Sequence, residues 1–334
     1  MRIKNKLQIV LITYNREKYL TNTLEQLFAN NSPIKDFDIT VLDNNSTDNT
    51  GTIVNSYQKQ HPNLKYHKNK FNLGLAGNIS RAIEFANKEY HWVIADDDKY
   101  YWHNWSLLEA AINAGHDVIC AAHYAIPKEK ENDTVFALIQ STFISSFIFK
   151  TSILNDTVMA NVMNTVYTLF PHVPLQVSAL NNGKSIYVLP EAVVENGKNP
   201  GIDVSYTRGH KNDALYVRQR AMSWICGFAN IISLLKDKKL KYKLMDEAVK
   251  KIHGSYLNFY NEMYNWYALH PETWMNLFDV LMALRFFKKV KLILYIITAP
   301  ILSFYPTDKG LNIRIFGIKT RIIPRKILSF GKNN

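Results

Sequence analysis

The run His91-Trp92-Val93-Ile94-Ala95-Asp96-Asp97-Asp98-Lys99-Tyr100 passes from apolar, strand-forming residues to three consecutive carboxylates. Trp92 to Ala95 reads as a buried strand that ends in a polar loop. In open α/β sheets, chemistry sits at such strand ends. Three adjacent carboxylates repel one another unless a cation offsets them, and hard ions such as Mg²⁺ or Mn²⁺ take oxygen ligands of this kind. Alternation along an extended segment predicts Asp96 and Asp98 on one face and Asp97 on the other. A solvated acidic turn is the plainer reading of the same residues.

Working outward, strands and helices alternate on both sides of this run. Leu7 to Ile12 is a β-rich apolar stretch ending at Thr13-Tyr14-Asn15-Arg16, and Tyr19, Leu20, Leu24, Leu27 and Phe28 follow at helical spacing. Phe37 to Leu42 predicts a second strand, and the polar run Asp43 to Thr50 supplies N-cap residues for a helix over Thr52 to Gln60. Lys65-Tyr66-His67 suggests a third strand. Asn72-Leu73-Gly74-Leu75-Ala76-Gly77-Asn78 then opens a helix with Ile79, Ala82, Ile83 and Ala86 on one face. This alternation predicts βαβ units and a mostly parallel sheet. The first hundred residues read as a nucleotide-binding half.

Further strands are expected at His116 to Ala122, Phe143 to Lys150 and Ser185 to Leu189, with a helix from Phe170-Pro171-His172 through Leu180. From about Asp213 the pattern turns helical, which puts a boundary near residue 205. The expected division is 1–205 as the catalytic domain, 206–305 as a helical region and 306–334 as a basic tail containing a hairpin over Leu311 to Ile323.

The chain has 334 residues, 47% of them hydrophobic, enough for a sizeable core. Cys120 and Cys226 lie far apart without metal-ligand or redox spacing, so a reducing compartment and non-catalytic thiols are expected. The apolar stretch near the N-terminus is too short for a secretory signal. Of the net charge of +12, the stretch from Arg285 onward carries +10, with eleven Lys or Arg against the single acid Asp308. Such a block attracts a membrane surface or nucleic acid. Leu292 to Tyr305, apolar and flanked by Lys288, Lys289 and Lys291, is too short to span a bilayer and suits an interfacial helix. A buried core helix with a basic end is the alternative.

Four motifs in order, Val10-Leu11-Ile12-Thr13-Tyr14-Asn15-Arg16, Val41 to Asp48, Asn72 to Asn78 and Ala95-Asp96-Asp97-Asp98, resemble the family 2 glycosyltransferases. The resemblance implies a GT-A fold: a Rossmann-like, mostly parallel sheet flanked by helices, here followed by the helical C-terminal region and basic tail. It also implies a nucleoside-diphosphate sugar donor, Mn²⁺ or Mg²⁺, and inverting transfer. Carried over, Thr13, Tyr14, Asn15, Arg16 and Asp43 bind base and ribose, with a UDP-sugar favoured. Asn72, Gly74 and Arg81 approach the nucleotide; Asp96 and Asp97 belong to the donor site, and Asp98, with Asp96 and His210, holds the metal.

Many members of the family place a Glu-Asp pair, carrying the catalytic base, some eleven residues before a glycine; counting back from Gly183 reaches His172 instead. His172 is therefore the expected base, a histidine that caps or packs at the helix start being the alternative, with Glu191, Glu195 and Asp97 next in line. The loop Tyr206-Thr207-Arg208-Gly209-His210-Lys211 is placed to cover the diphosphate. The acceptor implied is a hydroxyl of a bacterial-type surface glycan, of capsule or O-antigen kind, or a lipid-linked one, with the protein peripheral on the cytoplasmic face of the membrane. A sugar-phosphate nucleotidylyltransferase fits less well, because its glycine-rich opening loop is replaced here by Thr13-Tyr14-Asn15-Arg16. A non-catalytic membrane-binding protein rests on the basic tail alone, and no nucleic-acid recognition element is recognisable.

Overall fold

The computed structural model describes residues 3–122, 134–168, 170–197, 227–269, 277–307, 310–315 and 318–324. Two compact units divide the chain, 1–223 and 224–334. The boundary expected near 205 lies outside the described residues.

The first unit is built on a seven-stranded sheet. Its strands are β1 (Leu7–Thr13), β2 (Ile39–Asp43), β3 (Leu64–Lys68), β4 (Tyr90–Ala95), β6 (Val118–Cys120), β7 (Phe147–Lys150) and β8 (Ile186–Val188), in the order β3-β2-β1-β4-β7-β6-β8. Two short strands, β5 (Lys99–Tyr100) and β9 (Val194–Glu195), form a separate ribbon. All pairings in the large sheet are parallel except those of β7, which runs against β4 and β6. β1 and β4 are buried along their whole length, as continuous apolar strands covered on both faces must be. β3, buried only at Leu64, forms one edge.

Helices α1 (Glu17–Phe28), α2 (Thr50–Gln58) and α3 (Gly74–Glu84) follow the first three strands. Farther on come α4 (Trp105–Asn113), α5 (Thr134–Gln140), α6 (Asp156–Asn164) and α7 (Val173–Asn181). α1 turns Leu20, Leu24 and Leu27 inward at helical spacing, and α3 does the same with Ile79, Ala82 and Ile83. Each fully buried leucine contributes roughly 1.5–3 kcal/mol. The order of strands reverses direction beside β1: β2 lies on one flank and β4 on the other. The carboxyl ends of β1 and β4, where Ile12 pairs with Ala95, therefore border the crevice in which α/β sheets bind ligands.

The second unit contains α8 (Phe228–Ser233), α9 (Lys238–Ala248), α10 (Tyr256–Leu269), α11 (Leu277–Ala283) and α12 (Phe286–Thr298). Asp237 caps α9 by accepting from the amides of Lys239 and Leu240. A π-turn over Val249–His253 ends at Gly254, whose φ of 72° only glycine adopts freely. Two expectations change here. The helical run does not reach residue 305: α12 stops at Thr298, Pro300 follows, and strand β10 begins at Leu302. The hairpin is also one strand short, because β10 (Leu302–Thr307), β11 (Gly310–Ile315) and β12 (Ile318–Pro324) form a three-stranded antiparallel sheet.

Candidate active site

The acidic loop is not an extended segment. β4 stops at Ala95 and residues 96–98 turn, so strand alternation does not govern their side chains. Asp96 and Asp97, expected on opposite faces, share one cation. Arg16 reaches Asp96 Oδ1 at 2.9 Å and Asp97 Oδ2 at 2.7 Å. Asp96 Oδ2 also accepts from the Thr13 hydroxyl at 2.6 Å, so both oxygens of Asp96 are committed within the protein. Asp98 turns away. Its Oδ2 accepts from the Ala95 amide at 3.0 Å and from the Ser145 hydroxyl, while its Oδ1 is buried without a partner.

Burial raises the proton affinity of Asp98 well above the ordinary carboxylate range, and the neighbouring charge of Asp97 adds to it. Burial likewise raises Asp96, against the pull of Arg16. An unpaired buried carboxylate oxygen costs about 1–3 kcal/mol, more for a charged group. It is a position that a cation would satisfy. A magnesium-like ion needs only one or two protein carboxylates when phosphates supply further oxygens. Among the described residues, no group of three or more His, Cys, Asp or Glu is placed to hold a metal. His210 and the loop around it lie outside the described residues.

The backbone of the acidic loop is gripped from two sides. From α1, Thr23 donates to the Asp96 carbonyl at 2.8 Å and Gln26 to the Asp98 carbonyl at 3.0 Å. From the ribbon, Lys99 and Tyr100 pair with Glu195 and Val194. Gly197 then comes so close that a Cβ there would fall 1.7 Å from the Asp97 carbonyl oxygen. Thr23, Gln26, Ser145 and Gly197 were not legible as site residues. Weak signals existed for two of them: the polar Ser145-Ser146 pair interrupts an apolar run, and Asn196-Gly197 is a turn dipeptide.

The nucleotide-side motifs form a laced set of loops. Asn15, at φ 50°, accepts from the Thr47 amide and donates its own amide to Ser46 Oγ. Tyr14 sits half-buried beside it. Asp43 is buried, with Oδ1 accepting from the Ser46 amide and hydroxyl and Oδ2 from the Tyr66 hydroxyl at 2.6 Å. Its first duty is thus to close the turn after β2, and a base N–H would have to share Oδ2 with Tyr66. Asn72 accepts from the Gly74 amide and from Asn44. Gly74 at φ 70° starts α3, and Asn44, Asn69 and Asn78 continue this network to the Leu42 carbonyl.

Two expected roles are corrected. Arg81 does not turn toward the nucleotide; it pairs with Glu84 on its own helix at 2.7 Å and lies half exposed over Phe85. Three-residue spacing on a helix surface favours that local pair. His172, expected as the base, is 1% exposed at the start of α7, and its Nε2 lies 2.6 Å from the Ser141 carbonyl. A carbonyl can only accept, so Nε2 carries the proton. Burial pushes its pKa down to about 4. A base must reach the acceptor's proton, whereas this imidazole is a packed core group. Cys120 is excluded as a nucleophile in the same way, because burial pushes its thiol up to about 12.

The setting of His172 carries a test. Its pKa of about 4 in the folded chain lies below the unfolded value near 6.5. The unfolded state therefore binds more protons between these values, and the stability His172 contributes is lost as pH falls from 6.5 toward 4. The stability advantage of wild type over His172→Gln, from urea unfolding, should shrink by roughly 2 kcal/mol between pH 7 and pH 5. A gap that is the same at both pH values would show that the histidine is not held neutral by burial.

An open, mostly parallel sheet with an acidic loop at its switch point and nucleotide-side loops beside it defines a nucleotide-sugar-binding class of protein. Residues 8–166, just under half of the chain, match the sequence model of Glycosyl transferase family 2, and the chain is similar to that family through this stretch. A GalNAc(5)-diNAcBac-PP-undecaprenol beta-1,3-glucosyltransferase of Campylobacter jejuni is 30% identical over 112 residues, 33% of this chain and 36% of that protein. The aligned stretch spans less than half of the length of the curated relatives it matches. Among solved structures, Staphylococcus aureus TarS in complex with UDP-GlcNAc superposes with a TM-score of 0.56 at 17% identity, over 93% of this chain and 97% of that one. The mannosyltransferase PcManGT of Pyrobaculum calidifontis, in complex with GDP-Man and Mn²⁺, gives 0.53 at 15% identity over 88% and 86%. These likenesses establish the GT-A fold.

Proposed function

We propose that this chain transfers a sugar, with inversion, from a UDP-sugar to a hydroxyl of a cell-surface glycan or lipid-linked acceptor. The observation that carries the reading is the buried, partnerless Oδ1 of Asp98 at the switch-point crevice of a domain similar to family 2. Asp98 is the residue that would hold Mn²⁺ or Mg²⁺ there, and the ion would supply positive charge to offset what develops on the departing diphosphate. Ser145 and the Ala95 amide hold Asp98 for that contact, and Arg16 with Thr13 fixes Asp96 beside it. UDP is favoured by Asp43, whose Oδ2 can accept from a uracil N–H, and by the UDP-GlcNAc complex of TarS. The undecaprenol-diphosphate-linked acceptor in the name of the Campylobacter relative supports the acceptor class.

With His172 enclosed, the proton of the acceptor hydroxyl is assigned to Glu195. This half-buried carboxylate stands opposite Lys99 on the ribbon beside the acidic loop. Tyr101 donates its hydroxyl to Oε2, which leaves Oε1 to take the proton. Asp97 is neutralised by Arg16 and Glu191 is exposed, so neither suits the role as well.

Thermal unfolding with UDP-, dTDP-, GDP- and CDP-sugars, with and without Mn²⁺, tests the donor. A ligand at a hundredfold excess over its Kd stabilises by about 2.7 kcal/mol, a rise of a few degrees. A metal-dependent rise with UDP-sugars is expected; a rise confined to GDP-sugars would overturn the UDP assignment. Glu195→Gln should keep that rise and lose transfer by about 10²–10⁴-fold, while His172→Gln keeps transfer. The opposite pattern would return the base to His172.

A further inference from the structure

Helix α12 in the second unit has its apolar side outward. Leu292 and Ala299 are buried, whereas Phe286, Phe287, Val290, Ile293, Leu294 and Ile297 are exposed, Phe287 to 77%. At 3.6 residues per turn these six fall within about 120° of arc. The stripe is bordered by Lys289 on one edge and Lys291 on the other, while Lys288 turns back over the Tyr256 ring at 3.7 Å. Exposed Ile301 follows in the turn after the helix. A core helix shows the reverse pattern, and one such stripe exceeds the scattered apolar residues of an ordinary surface.

No helix among the described residues is long and apolar enough to cross a membrane. A short helix with an apolar stripe edged by lysines instead suits the boundary between headgroups and acyl chains. The charge argues for the same occupant. The stripe is edged by Lys289 and Lys291, and from Arg285 onward the sequence carries eleven basic residues against one acid, a balance that an anionic bilayer attracts and a second copy of the chain does not.

We propose that α12 is a membrane-docking helix that seats Phe286, Phe287, Val290, Ile293, Leu294 and Ile297 in an anionic phospholipid surface, with Lys289 and Lys291 at the headgroups. This does not depend on the transferase reading. It does place the protein where a lipid-linked acceptor would be found.

The test is co-sedimentation of the full chain with vesicles of phosphatidylcholine, with and without phosphatidylglycerol. Wild type should bind the anionic vesicles and weaken sharply near 1 M salt, where screening shortens to about 3 Å. Phe287→Ser with Leu294→Ser should lose binding by at least about tenfold, since both remove large apolar side chains from the stripe. Lys289→Glu with Lys291→Glu should lose the preference for anionic lipid. Ile297→Trp gives a second measurement, because its emission should be quenched by brominated acyl chains.

Several outcomes would overturn the proposal. They are wild type that ignores anionic vesicles, apolar variants that bind as wild type does, and a tryptophan at 297 that stays unquenched in bound protein. So too would a wild-type dimer that the apolar variants dissociate while vesicle binding persists, or salt-sensitive binding to duplex DNA in place of vesicles.

Discussion

Asp98→Asn is expected to stabilise the free protein while removing the metal-dependent reaction proposed for it. In wild type, Oδ2 is held by Ser145 and the Ala95 amide, and Oδ1 is buried without a partner. The asparagine oxygen can keep the first pair of contacts, and the amide nitrogen, unpartnered as Oδ1 is, replaces a group that can carry a buried charge by one that cannot. The gain is the cost of burying the charge alone, since a neutral polar group stays there without a partner. The same change deletes the anionic ligand that a divalent cation would take, so Mn²⁺-dependent hydrolysis of the donor sugar should fall by at least about 10²-fold, the scale of a lost electrostatic contact to developing charge. Urea unfolding and hydrolysis rates measured on one preparation check both halves. A variant that is less stable yet keeps metal-dependent turnover would show that Asp98 is structural. Gain of stability with loss of function is what a strained functional site yields when it is relaxed.

Gly197→Ala should have the opposite sign for stability and the same sign for activity. Its Cβ would stand 1.7 Å from the Asp97 carbonyl oxygen and 2.9 Å from the Asp97 carbonyl carbon, both backbone atoms. That backbone cannot give way cheaply. Asp97 is tied to Arg16, and the carbonyls on either side of it accept from Thr23 and Gln26. Overpacking of this kind costs about 1–3 kcal/mol, and a displacement near 1 Å in a catalytic loop about 10²-fold in rate. Asn196→Ala, one residue away and exposed, is the matched control and should change neither. If Gly197→Ala unfolded at the wild-type midpoint and turned over normally, the ribbon would not be what holds the acidic loop.

The alternation of strands and helices through residue 113 follows from the residues themselves, as do the glycine-started α3, the carboxylates at the end of β4 and the family resemblance. Side-chain period, caps and turns are set by neighbours a few positions apart, so a linear reading recovers them. The apolar and basic character of α12 was legible for the same reason. The direction in which it points was not, because the stripe would read the same if it faced the core. Contacts between distant residues decided the rest. Arg16 meets Asp97 across 81 positions, Thr13 meets Asp96 across 83, and Ser145 meets Asp98 across 47. His172 illustrates the reason most directly. Its spacing from Gly183 marks it as a base, but burial against the Ser141 carbonyl, a property of the folded chain alone, lowers its pKa and encloses it. Local chemistry along the chain determined which groups are present at the crevice. Only the packing of strands and loops far apart in sequence decided which carboxylate oxygen there lacks a partner and which carboxylates beside it are already paired, because desolvation and pairing are set by whatever the fold brings within a few ångströms.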